Sequence, residues 1–412
     1  MAQILLDLVY SFGNCLNCFP GSPTLKVNSR SFKIQRLLGE GGFSYVYLVE
    51  DTSTSELFAL KKIRCPFGAE SVQQAMREVD AYRLFSHVPN IIAAFDHAVA
   101  TERGADEATK TVYILLPYYR RGNLQDMINA NLVNHAQFPE KRLMMLFLGV
   151  CKALRSMHNY SAPPAERMQM GREDDNDGPI RGGTRGKRTE HEEEGEQERP
   201  LMESENQVAQ GGRVQSYVHR DIKPGNIMID DTGSNPILMD LGSVAPSPIP
   251  VTSQTIALQI QDTAAEHSTM PYRAPELFDV QTGTVVDTKT DIWSMGCTLF
   301  ACLVGKSPFE MRSDETGGTL SMCVQGGDWR FPDETPAGAK RVNSIQVAKA
   351  KAAAGGAAGP SASGGSDEVT ISEPIRKVVR QCLKVEPAER PDIDELIAMV
   401  EGVIEELPET GE

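Results

Sequence analysis

The chain has 412 residues, 40% of them apolar and 24% charged, a balance that excludes disorder throughout and allows two sizeable lobes. Its 41 Lys and Arg against 56 Asp and Glu give −15, which argues against a bulk phosphate-binding surface, so no nucleic-acid partner is expected. The charge is uneven: residues 161–216 hold 13 acids and 8 bases, the last twelve residues hold five Glu and no base, and the other 344 residues carry only −5.

In chain order, residues 1–31 read as an N-terminal leader. Ile4, Leu5, Leu8, Val9 and Phe12 can form one helical face, but Asp7 and the lack of a basic flank argue against a secretory signal. Cys15-x-x-Cys18 has zinc-like spacing without the second pair that a tetrahedral site needs. The eight cysteines are scattered, which fits a reducing compartment better than a disulfide framework. No run reaches the ~18 to 20 apolar residues needed to span a bilayer.

From Phe32 the chain predicts an antiparallel meander, with strands over 32–38, 44–49 and 57–63. A helix over 70–86 follows, with Val72, Met76, Val79, Tyr82, Leu84 and Phe85 at helical spacing, then a last strand over 112–116. These form a first lobe and hinge, residues 32–119. After Gly122 the texture turns helical, with helices expected at 124–132, 141–158, 291–303, 374–383 and 392–404. They define a second lobe over 120–405, followed by an acidic tail at 406–412. Residues 161–216 and 336–368 lack aliphatic periodicity and read as long disordered insertions. Without them, residues 32–400 leave 280 of compact sequence.

Gly39-x-Gly41, between two strands and followed by Val46, lets backbone amides approach an anion with no side chain in the way. Lys61 on the third strand can present a point charge to phosphate, and Glu78 on the next helix can pair with it. The decisive stretch is His219-Arg220-Asp221-Ile222-Lys223-Pro224-Gly225-Asn226, followed by Asp240-Leu241-Gly242 and Ala274-Pro275-Glu276. Phosphoryl transfer needs oxygen ligands for a divalent ion, a cation on the phosphates and a base near the acceptor hydroxyl, and these blocks supply that set.

In these blocks the chain resembles the eukaryotic protein kinases over about residues 32–400 apart from the insertions. The resemblance implies an α+β, bilobal fold, with an antiparallel N-lobe sheet carrying one main helix and a mostly α-helical C-lobe. It also implies ATP and Mg2+ as cofactors and protein Ser/Thr hydroxyls as acceptors. Residues Gly39, Glu40, Gly41, Gly42, Phe43, Ser44 and Val46 match the nucleotide-covering loop. Lys61 matches the phosphate-binding lysine, Glu78 its partner, Asp221 the catalytic base and Lys223 the residue steadying the transferred phosphate. Asn226 and Asp240 match the metal ligands. Leu116 resembles the gatekeeper, so the Pro117 carbonyl and Tyr119 N–H would bond adenine, sandwiched by Leu38, Val46, Ala59 and Met228. Glu276 is expected to pair with Arg390, and Asp291 to brace the catalytic loop. Lys223 two residues after Asp221, with Thr269 before Ala274, is the serine/threonine pattern.

Two departures, Ser44 for the third loop glycine and Asp-Leu-Gly for the metal triplet, remove no required group. With Leu115 to Gly122 and Met239 to Ser243 they resemble the Numb-associated kinase family, specifically its membrane-anchored, serine/threonine-protein kinase 16-like branch, which has fungal vacuolar members. That branch implies a helix in the activation segment, for which 255–267 fits, with Ile256, Ile260 and Ala264 as its docking stripe. Thr252, Ser253, Thr255, Thr263, Ser268 and Thr269 are nearby hydroxyls open to phosphorylation. Ala2 excludes the myristoylation motif, while Cys15 and Cys18 are candidates for palmitoylation, which would hold a cytoplasmic enzyme on an endomembrane such as vacuole or Golgi. The alternative from another class is a pseudokinase, disfavoured because Lys61, Asp221, Asn226 and Asp240 are all present.

Overall fold

The computed structural model describes residues 24–101, 109–161, 215–334 and 371–408. Cys15, Cys18, most of both insertions and the last four residues lie outside the described residues. Strands β1 (Thr24–Val27), β2 (Arg30–Glu40), β3 (Ser44–Asp51) and β4 (Leu57–Cys65) lead to helix α1 (Ala69–Leu84), then β5 (Asp96–Ala100) and β6 (Lys110–Pro117). They form one antiparallel sheet in the order β1-β2-β3-β4-β6-β5.

Alternation explains the sheet's two faces. Phe32, Val49, Phe58, Leu60, Tyr113 and Leu115 pack into a small core on one side. Val112, Ile114 and Leu116 turn to the other side, where Ala75, Val79 and Tyr82 of α1 join the main core. The sheet starts earlier than the sequence predicts, because Thr24–Val27 pairs with Arg30–Lys33 inside the assigned leader. Strand β5 was also not predicted, since its five residues are half-buried or exposed and leave little periodic signal.

The second lobe is helical: α2 (Leu124–Asn134) and α3 (Glu140–His158) precede the catalytic loop. Short strands β7 (Ser216–Val218), β8 (Ile227–Ile229) and β9 (Pro236–Leu238) frame that loop, and β10 (Ala245–Ser247) and β11 (Ile249–Pro250) follow it. Helix α4 (Gln254–His267), strand β12 (Val285–Val286) and helices α5 (Lys289–Val304), α6 (Pro308–Thr316), α7 (Leu320–Gln325), α8 (Glu373–Cys382) and α9 (Ile393–Glu406) complete the lobe. Helix α5 is apolar all round and every residue from Thr290 to Cys302 is buried, so it is the axis of the lobe. Gly296 is needed there, because a Cβ would meet the Cys382 Cβ at 2.6 Å.

Helix α4 falls where a helix was expected, with Ser253 capping its start. Its docking face is rotated, however: Ala257 and Ala264 are buried and Ile260 packs on the core, while Ile256 is only half-buried. Small residues allow the helix to lie close to the lobe, which the larger Ile256 does not. Cys65, Cys151, Cys297, Cys302, Cys323 and Cys382 are buried free thiols; burial pushes Cys302 and Cys382 up to about 12. Among the described residues no helix is long and apolar enough to cross a membrane.

Candidate active site

The cleft between the lobes collects the polar groups singled out in the sequence. Lys61 is fixed on β4 opposite Val46 of β3 and Ile114 of β6, and donates to Glu78 Oε1 at 2.7 Å and to Asp240 Oδ1 at 2.9 Å. Burial alone would pull its ammonium down, but the Asp240 and Glu78 carboxylates outweigh that and hold it above the usual lysine range. In return Lys61 holds Asp240 down to about 2. Asp240 sits in the left-handed region at φ 59°, which turns its carboxylate back to the lysine. The following Gly242 lies close under Glu78, where a Cβ would stand 3.2 Å from Oε2 and press on that carboxylate.

Glu78 is itself 6% exposed and receives a second hydrogen bond, from the Tyr82 hydroxyl at 2.8 Å. Its helical spacing marks Tyr82 only as a core position; the signal for the contact is its i+4 spacing from Glu78 on one helix face.

Around the catalytic loop, Asp221 is the hub. Its Oδ1 accepts from the Thr269 N–H at 2.9 Å and the Thr269 hydroxyl at 2.8 Å. Its Oδ2 accepts from Lys223 Nζ at 2.7 Å and Asn226 Nδ2 at 2.9 Å. Lys223 also reaches Thr269 Oγ1 at 2.6 Å, so the residues read as the serine/threonine pattern are in direct contact. Because the Asn226 amide nitrogen faces Asp221, its carbonyl oxygen is left out of that contact. With the second oxygen of Asp240, not engaged by Lys61, this is a hard-oxygen donor pair that suits a divalent ion sharing phosphate oxygens.

The loop is braced from beneath. Asp291, fully buried on α5, accepts from the His219 N–H and the Arg220 N–H, both at 2.8 Å, and from His158 Nε2 at 2.9 Å. Burial opposes its charge, but the His158 hydrogen bond and the backbone donors outweigh it and hold the carboxyl below the usual range. These bonds support Arg220 at φ 73°, a left-handed conformation that costs a non-glycine residue energy. His219 Nε2 faces the Met239 carbonyl at 3.0 Å, and Nδ1 lies 3.3 Å from the Asp221 N–H. A carbonyl only accepts and an N–H only donates, so these contacts make Nε2 the donor and Nδ1 the acceptor. His158 was not foreseen, being 133 residues from Asp291 with no local motif.

The positions matched to the nucleotide site lie on the N-lobe sheet, the chain that leaves it and the strand after the catalytic loop. Leu38, Gly39, Glu40, Gly41, Gly42, Phe43, Ser44 and Val46 lie on β2, its turn and β3. The Gly41 N–H donates to the Ser44 carbonyl at 2.8 Å. A Cβ on Gly41 would stand 2.9 Å from Ser44 Oγ, so the serine folds over the glycine and the loop closes without a third glycine. Ala59 pairs with Leu116 across β4 and β6, Pro117 and Tyr119 follow at the strand's end, and Met228 lies on β8 beneath. Far from the cleft, Arg390 is 2% exposed and forms a two-pronged pair with Glu276, both contacts at 2.8 Å.

A glycine turn between two strands, a lysine–glutamate–aspartate triad and an aspartate–lysine–threonine hub together define a phosphotransferase of the protein-kinase class. The chain belongs to the protein kinase family: the protein kinase domain matches residues 32–162 and 213–400. It is 32% identical over 378 residues to serine/threonine-protein kinase ppk13 of Schizosaccharomyces pombe, covering 91% of each chain. To serine/threonine-protein kinase ENV7 of Saccharomyces cerevisiae it is 30% identical over 413 residues, covering 98% of this chain and all of that one. To human serine/threonine-protein kinase 16 it is 33% identical over 309 residues, covering 75% of this chain and 80% of the other. These relatives put it in the serine/threonine-protein kinase 16-like branch. It is a serine/threonine-protein kinase that uses ATP and a divalent metal and acts on proteins.

Proposed function

We propose that this enzyme transfers the γ-phosphoryl group of Mg-ATP to Ser and Thr hydroxyls of protein substrates and of its own chain, while held on an endomembrane by palmitoylated Cys15 and Cys18. The observation that carries the chemical part is the hub in which Asp221, Lys223 and Thr269 share hydrogen bonds. An acceptor hydroxyl entering there displaces the Thr269 contact and hands its proton to Asp221 as its oxygen bonds the γ-phosphorus, while the bond from that phosphorus to the β-phosphate bridging oxygen breaks and ADP leaves. Lys223 moves to the transferring phosphoryl oxygens, and Lys61, pre-aligned by Glu78, takes the α and β phosphates. Asn226 and Asp240 would hold Mg2+, which neutralises charge on the phosphates when bound. No covalent enzyme intermediate is needed.

Autophosphorylation is supported by the hydroxyls of the activation segment, Thr252, Ser253 and Thr255 among them, which are exposed. The membrane part rests on the thiol spacing and the apolar face of the leader, and on the branch of the family. It places the enzyme in trafficking or vacuole-related signalling at a vacuole or Golgi surface. Two measurements test the whole. Asp221→Asn should abolish incorporation of phosphate from Mg-ATP into a generic protein substrate and into itself; equal activity would overturn the assignment. Cys15→Ser/Cys18→Ser should move the protein from the membrane to the soluble fraction, and unchanged fractionation would overturn the anchor.

A further inference from the structure

Beside the catalytic hub lies an open cavity of about 420 Å³. Lys223 and Thr269 are part of its lining, so a residue filling it belongs to the same peptide as the acceptor, within about three positions at ~3.3 to 3.6 Å per residue. The walls are unusually bare: Gly225, Ala301 and Gly305 contribute almost no side chain. A long side chain can therefore enter, its stem lying against Pro224, Pro271 and the Tyr272 ring.

The charge of the lining decides which side chain. Lys223 is bound by Asp221 and Thr269, and Lys306 is bound by Asp314. Glu310 is the one carboxylate of the lining and has no cationic partner among the described residues. It is also held in place: the buried Ser307 hydroxyl donates to Glu310 Oε2 at 2.6 Å and accepts from the Glu310 N–H at 3.3 Å at the start of α6. This leaves Oε1 to be met. Gln125, also of the lining, donates its amide nitrogen to Asn129 at 3.1 Å, which leaves its carbonyl oxygen as a second acceptor.

Resting on the kinase reading above, we infer that this cavity is a specificity subsite for an arginine of the protein substrate, with Glu310 as the discriminating residue. A guanidinium presents several donors in a fixed fork and can meet the carboxylate and the amide oxygen together, which an ammonium or a neutral side chain cannot.

The test is a positional peptide library around a Ser or Thr acceptor, phosphorylated by the full-length protein with Mg-ATP, followed by kcat/KM for matched peptides. The readout is the Arg-to-Ala ratio at the selected position, which is independent of total activity. Wild type should favour Arg by roughly tenfold to a hundredfold, with Lys intermediate. Glu310→Gln should bring the ratio near one, and Glu310→Lys should favour Glu over Arg. Transfer with no basic preference, or an Arg preference that survives Glu310→Lys, would overturn the subsite and leave the kinase reading standing. No transfer to any peptide by wild type would overturn both.

Discussion

Replacing Arg390 with Met tests whether the end of the activation segment is tied to the helical lobe as described. The guanidinium donates to both Glu276 oxygens at 2.8 Å and to the carbonyls of Lys384 at 2.7 Å, Lys289 at 2.9 Å and Val385 at 2.8 Å. It also lies 5.0 Å from the Trp293 ring centroid. Methionine keeps the stem but leaves the Glu276 carboxylate, 18% exposed, facing three bare carbonyls. Breaking a buried, hydrogen-bonded pair from one side costs about 3 to 5 kcal/mol. At about 2 to 4 °C per kcal/mol for a lobe of this size, Tm should fall by about 10 °C in a circular-dichroism melt. Glu276→Gln should cost less, and combining the two changes should cost less than their sum, because each single change already breaks the pair. A fall below about 3 °C, or strict additivity, would refute the reasoning, since neither is compatible with a buried pair.

Three further outcomes follow from the geometry. Tyr82→Phe removes a hydrogen bond to the Glu78 carboxylate, worth about 1 to 2 kcal/mol, so kcat/KM should fall roughly fivefold or more; wild-type kinetics would show that Tyr82 does not position Glu78. Asp240 has its folded pKa depressed to about 2 from 3.8, so its contribution to stability is present above pH about 4 and is lost as pH falls through 2. The acid limb of a Tm–pH profile should therefore be shallower in Asp240→Asn, and an identical limb would contradict the pairing. Deleting 162–213 should leave folding and activity within about twofold of wild type, because Gln215 already donates to the Tyr160 carbonyl at 3.0 Å and holds the ends together; an inactive, folded deletion would show that the segment takes part in catalysis.

The elements legible in the sequence were those whose chemistry is local. β2, β3 and β4 carry strong alternation bounded by turn residues, and Lys61, Asp221, Asn226 and Asp240 lie in short motifs whose roles depend on neighbouring backbone. β1 was hidden because four residues, Thr24–Val27, followed at once by a turn at Asn28 with φ 52°, give no periodic signal. α6 was missed because Pro308 opens a polar helix with only Pro308 and Phe309 buried. The His158 contact depends on how α3 packs on α5, and Glu310 reaches the substrate cavity only because α6 follows the end of α5. None of these is a property of a short window of sequence.

The most direct measurement is phosphoamino-acid analysis after incubation with radiolabelled Mg-ATP and a mixed protein substrate. The hub of Asp221, Lys223 and Thr269 predicts phosphoserine and phosphothreonine with wild type and no label above background with Asp221→Asn. Predominant phosphotyrosine, or equal label from both proteins, would contradict it.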